Sequence, residues 1–270
     1  VGLDEIGRAD TNREADILAH LPPKVIGGIR MTRRLNTPAT VTFATNYFPG
    51  ASPVNDAGME HLFNAWLNPD PPAPLASLPI WTELATAAQA STPEVWQTLS
   101  AALGGKKVRS SLYHGDFAPW NIRTISSRNL EAFDWERGSL QGIPGWDWFH
   151  FTTQTAILAR RYPVERVAAE LEQLFRSSRF EKYAAAAEIS DIVQPLLLAY
   201  LLHQQLVIKP VDGLNNVVEL FEFLSVHWHL NPRPSLTAQP APPVATKTAW
   251  AQLTTAWNLS PNLFSEPELK

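Results

Sequence analysis

Apolar and polar positions change rhythm along this chain, and the changes divide it. Helical spacing runs from Asn12 to Leu21, with Thr11 or Asn12 as the cap and Pro22-Pro23 as the stop. Two strand-like runs follow, Lys24 to Met31 and Thr40 to Tyr47, the second rich in β-branched and aromatic residues. Phe48-Pro49-Gly50 then reads as a turn or hinge. Beyond it the pattern is helical. Asp56 to Leu67 places Met59, Leu62, Phe63 and Trp66 on one face. Pro69 to Pro79 interrupts, and Thr92-Pro93-Glu94 starts a helix whose stripe is Val95, Trp96, Leu99 and Leu103. Val108–Tyr113 reads as a strand, and Ser111 to Glu136 as loop and short strands. Helices over Trp146–Arg160, Val164–Phe175, Ile192–Ile208 and Val217–Leu230 complete the pattern. Residues 231–249, rich in Pro, Ala and Thr, read as a linker or mobile tail, followed by one or two helical turns over Trp250–Trp257.

Composition narrows the class. The chain has 270 residues, 45% hydrophobic and 18% charged, enough for a folded core and unlike a disordered segment. A net charge of −4 without a long basic run argues against a nucleic-acid partner. The absence of Cys removes disulfides, thiolate metal sites and cysteine nucleophiles, as a cytoplasmic protein would allow. The first residues lack the basic start and apolar core of a secretory signal. The most apolar segment, Leu196–Leu202, is too short to span a bilayer, so it reads as a buried helix and no membrane partner is expected.

One stretch carries chemistry. His114-Gly115-Asp116-Phe117-Ala118-Pro119-Trp120-Asn121 is followed, thirteen residues after the Asn, by Asp134-Trp135-Glu136. Phosphoryl transfer to a hydroxyl needs a base for the hydroxyl proton and oxygen ligands that hold Mg²⁺ against nucleotide phosphates. Asp116 and Asn121 have the spacing of Asp and Asn in a protein-kinase catalytic loop. Asp134 follows Leu130-Glu131-Ala132-Phe133, a candidate strand delivering a carboxylate to the same cleft. His-Gly-Asp alone would fit any Asx-rich turn. In combination with the Asn and the second acid the pattern is far narrower.

HGDFAPWN followed by AFDWE resembles the aminoglycoside phosphotransferase and choline kinase group, small-molecule kinases with a protein-kinase-like fold. The resemblance implies an α+β chain. Residues 1–48 would be the remnant of a small β-lobe, residues 49–230 a mostly helical large lobe with the catalytic loop, and residues 231–270 a linker and tail. It implies ATP and Mg²⁺ as cofactors, Asp116 as catalytic base, Asn121 and Asp134 as Mg²⁺ ligands, and His114 and Gly115 as the shapers of the loop. Gly115 stands where protein kinases carry Arg, which favours the small-molecule branch. Asn46, Tyr47 and Phe48 would present backbone groups to adenine, and Glu14 would grip a phosphate-binding Lys. Asp147 would steady the catalytic loop by hydrogen bonds, or simply cap its helix. The acceptor would be a hydroxyl of a small molecule such as a sugar, amino alcohol or aminoglycoside. The mixed charges after residue 150 show neither an acidic patch nor an aromatic cage that would choose among these.

Parts of the expected machinery are missing from the sequence. No GxGxxG is present, and the first Lys, Lys24, comes after Glu14, with Arg8 and Arg13 the cations ahead of it. The expectation is therefore an incomplete small lobe and weak Mg·ATP binding by this polypeptide, with strong binding by a longer parent. A catalytically inactive kinase-like binding or regulatory module is the alternative. Gly104-Gly105-Lys106-Lys107 is not a phosphate loop, because Ser100 stands where the first Gly should be and no Ser or Thr follows Lys106. Glu136 either supports the metal site or pairs with Arg137. His150, His203, His227 and His229 read as core or surface histidines, and Trp120, Trp135, Trp146 and Trp148 as packing beneath the loop.

Overall fold

A helix cap places the first element. In the computed structural model, which describes residues 4–21, 31–37, 40–45, 57–126, 129–210 and 212–228, Asp4 accepts a hydrogen bond from Gly7 N–H at 2.7 Å and opens helix α1, Glu5–His20. The helix thus begins ahead of the predicted cap. Thr11 lies inside it, its hydroxyl donating to Gly7 O at 2.6 Å. Strands β1, Met31–Asn36, and β2, Val41–Thr45, form an antiparallel hairpin with Arg34 opposite Phe43. The second matches the predicted strand. The first covers a polar stretch that lacks a strand pattern, and of the predicted strand Lys24–Met31 only Met31 is described. Arg34 ties the hairpin to α1 through Asp16, 2.6 Å, and Asn12, 2.5 Å.

Helix α2, Ala57–Trp66, buries Met59, Leu62, Phe63 and Trp66, the face predicted for it. A two-residue strand β3, Ala73–Pro74, precedes a 3₁₀ turn and helix α3, Pro79–Ser91, then helix α4, Pro93–Leu103. The prolines conceal α3 in the sequence. Pro79 opens the helix at the first position, where a missing N–H costs nothing, and Ile80, Trp81, Leu84 and Ala88 bury behind it. The predicted strand over Val108–Tyr113 is two short pieces, β4, Lys107–Val108, paired with β3, and β5, Ser111–Tyr113. Strands β6, Ile122–Ser126, and β7, Asn129–Ala132, form a hairpin, and β8, Ser139–Gly142, returns antiparallel to β5.

The rest of the described chain is helical. Helix α5, Trp146–Gln154, widens into a π-helical turn at Thr155–Ala159. Helix α6, Val164–Phe175, has the predicted bounds, and α7, Ser178–Ala186, is an addition that its few apolar residues did not signal. Helix α8, Val193–His203, also ends in a π-helical turn, Gln204–Ile208, and α9, Leu214–His227, follows. Every residue of Leu196–Leu202 is buried, with α3, α4, α5 and α9 packed around the helix. This explains its all-round apolar sequence without a bilayer. Among the described residues no helix is long and apolar enough to cross a membrane. The fold is α+β, with four two-stranded antiparallel sheets among the described residues. Residues 1–232 form one compact unit and residues 233–270 a second, which takes in the predicted tail from residue 233 onward and lies outside the described residues.

Candidate active site

The strand pair β5–β8 delivers the loop and the helix that braces it. Directly after β5, the backbone N–H groups of His114 and Gly115 donate to the two carboxylate oxygens of Asp147, at 2.9 and 3.2 Å. Asp147 sits in the first turn of α5, whose cap is Gly145 with no side-chain bond, so Asp147 braces the loop and is not the helix cap. Gly115 has φ +82, and a Cβ there would lie 2.5 Å from the Arg137 carbonyl oxygen. Only glycine fits that turn. Asp116 N–H then donates to His114 Nδ1 at 3.2 Å, so the imidazole proton is on Nε2, which donates to Phe133 O at 3.0 Å. Burial pushes the His114 ring down to about 4, against the pull of the Phe133 bond and of Asp116, and the neutral ring suits both bonds.

The 3₁₀ turn Pro119–Asn121 folds the chain back on Asp116. Asn121 Nδ2 donates to the Asp116 carbonyl at 3.0 Å and to its Oδ2 at 2.9 Å. That fixes the amide so that its oxygen remains for another partner. Phe133 N–H donates to Asn121 O at 3.1 Å. The residue before Asp134 is therefore bonded to both His114 and Asn121, and this joins the β7 end to the loop. Aromatic rings form the floor: Phe117 lies 4.7 Å from Phe63 and 5.6 Å from Trp66, and Trp135 lies 4.7 Å from His114, centroid to centroid.

Charge is concentrated here. Burial pushes the Asp116 carboxyl up, but the hydrogen bond from His150, with the Arg137 charge behind it, outweighs burial and leaves the group below the usual carboxylate range. Asp134 goes the other way, raised by burial and by the Asp116 charge. Glu136 is raised by burial and then by Asp134. Glu14 is raised by burial, its bond to Trp135 opposing and the Asp134 and Glu136 charges adding. Four carboxylates thus repel one another across one small region. Arg137 opposes them, its Nε 4.0 Å from Glu136 Oε1. Asp134 also holds φ +71, a left-handed backbone that non-glycine residues adopt at a cost of order 1 kcal/mol.

Of the residues singled out in the sequence, Asp116, Asn121, Asp134 and Glu14 share this region. Glu14 Oε1 accepts Trp135 N–H at 3.1 Å, so its partner here is the amide beside Asp134. Asn46, Tyr47 and Phe48 lie outside the described residues. Among the described residues no group of three or more His, Cys, Asp or Glu is arranged to hold a metal ion. The oxygen atoms in this region that could hold a cation include the Asn121 amide oxygen and the Asp134 carboxylate. Trp135, Trp146 and Trp148 are buried as expected, whereas Trp120, next to Asn121, is 42% exposed. A cleft of about 260 Å³ between α5, α6 and the start of α7 is lined by Trp148, Phe151, Thr152, Arg160, Glu170 and Arg179 among others; neither Asp116 nor His150 lines it.

The sequence reading missed the role of His150. Its ring is buried, with Nε2 3.0 Å from Asp116 Oδ1 and Nδ1 3.0 Å from the Tyr200 hydroxyl. A signal was available, because His150 follows Asp147 by three on a helix and shares its side of α5. Tyr200 carried no such signal within a wholly apolar run. No protein-family model and no curated protein matches this chain, so the geometry around Asp116 carries the functional conclusion.

Proposed function

We propose that this chain is built for Mg²⁺- and ATP-dependent transfer of a γ-phosphoryl group to a hydroxyl of a small molecule such as a sugar, amino alcohol or aminoglycoside. What supports the reading most is the Asp116–Asn121 pair: a carboxylate held at 2.9 Å by an amide, in a loop whose backbone Asp147 fixes, with Asp134 tied alongside through Phe133. In this reading Asp116 accepts the proton of the acceptor hydroxyl. Asn121 and Asp134 offer hard oxygens of the kind Mg²⁺ takes. Burial raises the Asp134 carboxyl and the Asp116 charge adds to the rise, and a divalent cation would offset both. Bound Mg²⁺ would neutralise charge on the nucleotide phosphates.

The decisive experiment incubates the chain with Mg·ATP and a panel of sugars, amino alcohols and aminoglycosides, scoring phosphorylated product by mass. Because weak Mg·ATP binding is expected of this polypeptide, the nucleotide is supplied in large excess. Product that disappears with Asp116→Asn is expected, and no product from any acceptor under that excess would refute the proposal for this chain. The inactive-module alternative retains one specific observation in its favour. Both Asp116 oxygens already accept bonds within the protein, from Asn121 and His150.

Asp134 offers a separate test. Asp134→Gly is expected to raise thermal stability by up to about 1 kcal/mol, because glycine adopts a left-handed backbone without strain. The same variant is expected to lose any Mg²⁺-induced rise in melting temperature. A Mg²⁺ response equal to the parent's would remove Asp134 from the cation site.

A further inference from the structure

We propose that His150 is a positioning residue for Asp116, held in one tautomer by Tyr200, so that the carboxylate meets its acceptor in a single orientation. The proposal rests on the phosphotransferase reading for its catalytic consequence but not for its geometry. Asp116 is a carboxylate and can only accept, so the nitrogen 3.0 Å from its Oδ1, His150 Nε2, must carry the proton. The other ring nitrogen, Nδ1, lies 3.0 Å from the Tyr200 hydroxyl, and in the neutral ring it accepts the hydroxyl's hydrogen. His150 is 1% and Tyr200 0% exposed, and such burial keeps bulk solvent from competing for either ring nitrogen. Asn121 grips Oδ2 from the other side at 2.9 Å. The Asp116 carboxylate is therefore clamped at both oxygens, yet each oxygen keeps a free lone pair toward the open side, where the side chain is 26% exposed.

The supports behind the ring fix it further. His150 stands on α5 three residues after Asp147, whose own bonds to His114 and Gly115 set the loop. Tyr200 comes from the middle of α8, packed against Trp146 and Phe149 at 5.9 and 6.1 Å between ring centroids. Neither helix can shift without disturbing the buried core. A ring held by two bonds on two such helices orients what it touches, as outer ligands orient the inner ones in metal sites.

The Asp116→Asn substitution makes the clamp visible. The amide oxygen of the new side chain would take the Asn121 bond, and its NH₂ would then face His150 Nε2, two donors in conflict. The conflict resolves if the imidazole proton moves to Nδ1 and is given to the Tyr200 oxygen. Nitrogen-15 spectra of histidine-labelled protein, with His150 assigned by its loss in His150→Leu, are expected to show the Nε2–H form in the parent and the Nδ1–H form in Asp116→Asn. Tyr200→Phe added to Asp116→Asn should block the switch, because Nδ1–H would then be buried without an acceptor. Identical His150 tautomers in the parent and in Asp116→Asn would overturn the proposal. In turnover, His150→Leu is expected to lower kcat roughly 10- to 100-fold with little change in KM for Mg·ATP, and His150→Gln, which restores a donor, to recover part of it. Equal kcat in the parent and in a folded His150→Leu would also overturn it. A tautomer switch in a chain that phosphorylates nothing would remove the phosphotransferase reading and leave the clamp standing.

Discussion

Asp116→Asn is expected to lower phosphoryl transfer by about 10²- to 10⁴-fold, the range a positioned general base contributes, while Mg·ATP binding and melting temperature change little. The choice of Asn matters. Alanine would leave His150 Nε2 buried beside nothing and Asn121 Nδ2 with only the Asp116 carbonyl, so lost activity would be mixed with lost structure. Asparagine keeps the shape and both contacts, at the cost of turning the His150 tautomer. What it removes is the negative oxygen that accepts the hydroxyl proton. The measurement is initial rate at saturating Mg·ATP with the best acceptor from the panel, alongside the melting curve of each protein. A folded Asp116→Asn with kcat within a factor of a few of the parent would take the base role away from Asp116. A large drop in both kcat and melting temperature would instead mark Asp116 as part of the fold.

How much of this is legible in the sequence depends on the range over which each residue acts. The helical bounds of α6 and the buried face of α2 follow from a local apolar period, and the structure has both. The loop-bracing bonds of Asp147 are those the family resemblance implied, and the spacing of the residues alone left helix capping open. Elsewhere local pattern and tertiary role disagree. Pro79 looks like part of a break but is the first residue of α3. Strand β1 is polar because it pairs at a two-stranded hairpin and uses Arg34 to reach Asp16 and Asn12 on α1, a partnership no alternation reveals. Helix α1 starts early because Asp4 caps it, in a segment with little apolar periodicity.

The site divides in the same way. Asp116 and Asn121 lie within one loop, where a spacing of five lets the amide reach back to the carboxylate. Glu14 is 121 residues from its partner amide at Trp135, and Tyr200 is 50 from His150. Such contacts are set by how helices pack, not by spacing. His150 reads in the sequence as an ordinary core histidine, and it is buried in the core. Its proximity to Asp116 comes from α5 running back beneath the loop that Asp147 holds. A polar side chain on the same helix face as a loop brace is the one local hint, and it outweighs the lack of metal-ligand spacing.

Loss of the brace itself should be the larger structural effect. Asp147→Ala leaves the N–H groups of His114 and Gly115 buried without acceptors, at about 1–3 kcal/mol each, so a loss of roughly 2–6 kcal/mol is expected. For a unit of this size that corresponds to a fall of roughly 5–20 °C in melting temperature. Asp147→Asn should be nearly as damaging, since its single oxygen satisfies one N–H and its NH₂ opposes the other. The parent carries a pH signature as well. Burial pushes the Asp147 carboxyl up to about 7, against the two N–H bonds that favour its charge, with Asp116 adding to the rise. An unfolded aspartate ionises near 4, so between about pH 4 and pH 7 the folded state binds more protons than the unfolded one. Stability from this group is therefore full below about pH 4, falls as pH rises through about 7, and is level above, a change of at most about 4 kcal/mol. Other groups titrate in the same window, but they are common to parent and variant. The stability gap between the parent and Asp147→Asn isolates this one, and it should be wider at pH 5 than at pH 8 in denaturant titrations. A gap independent of pH would mean that Asp147 is ionised throughout and that its two N–H partners outweigh burial. A gap near zero at both values would mean that the loop is held by other contacts, and the assignment of Asp147 as its brace would fail.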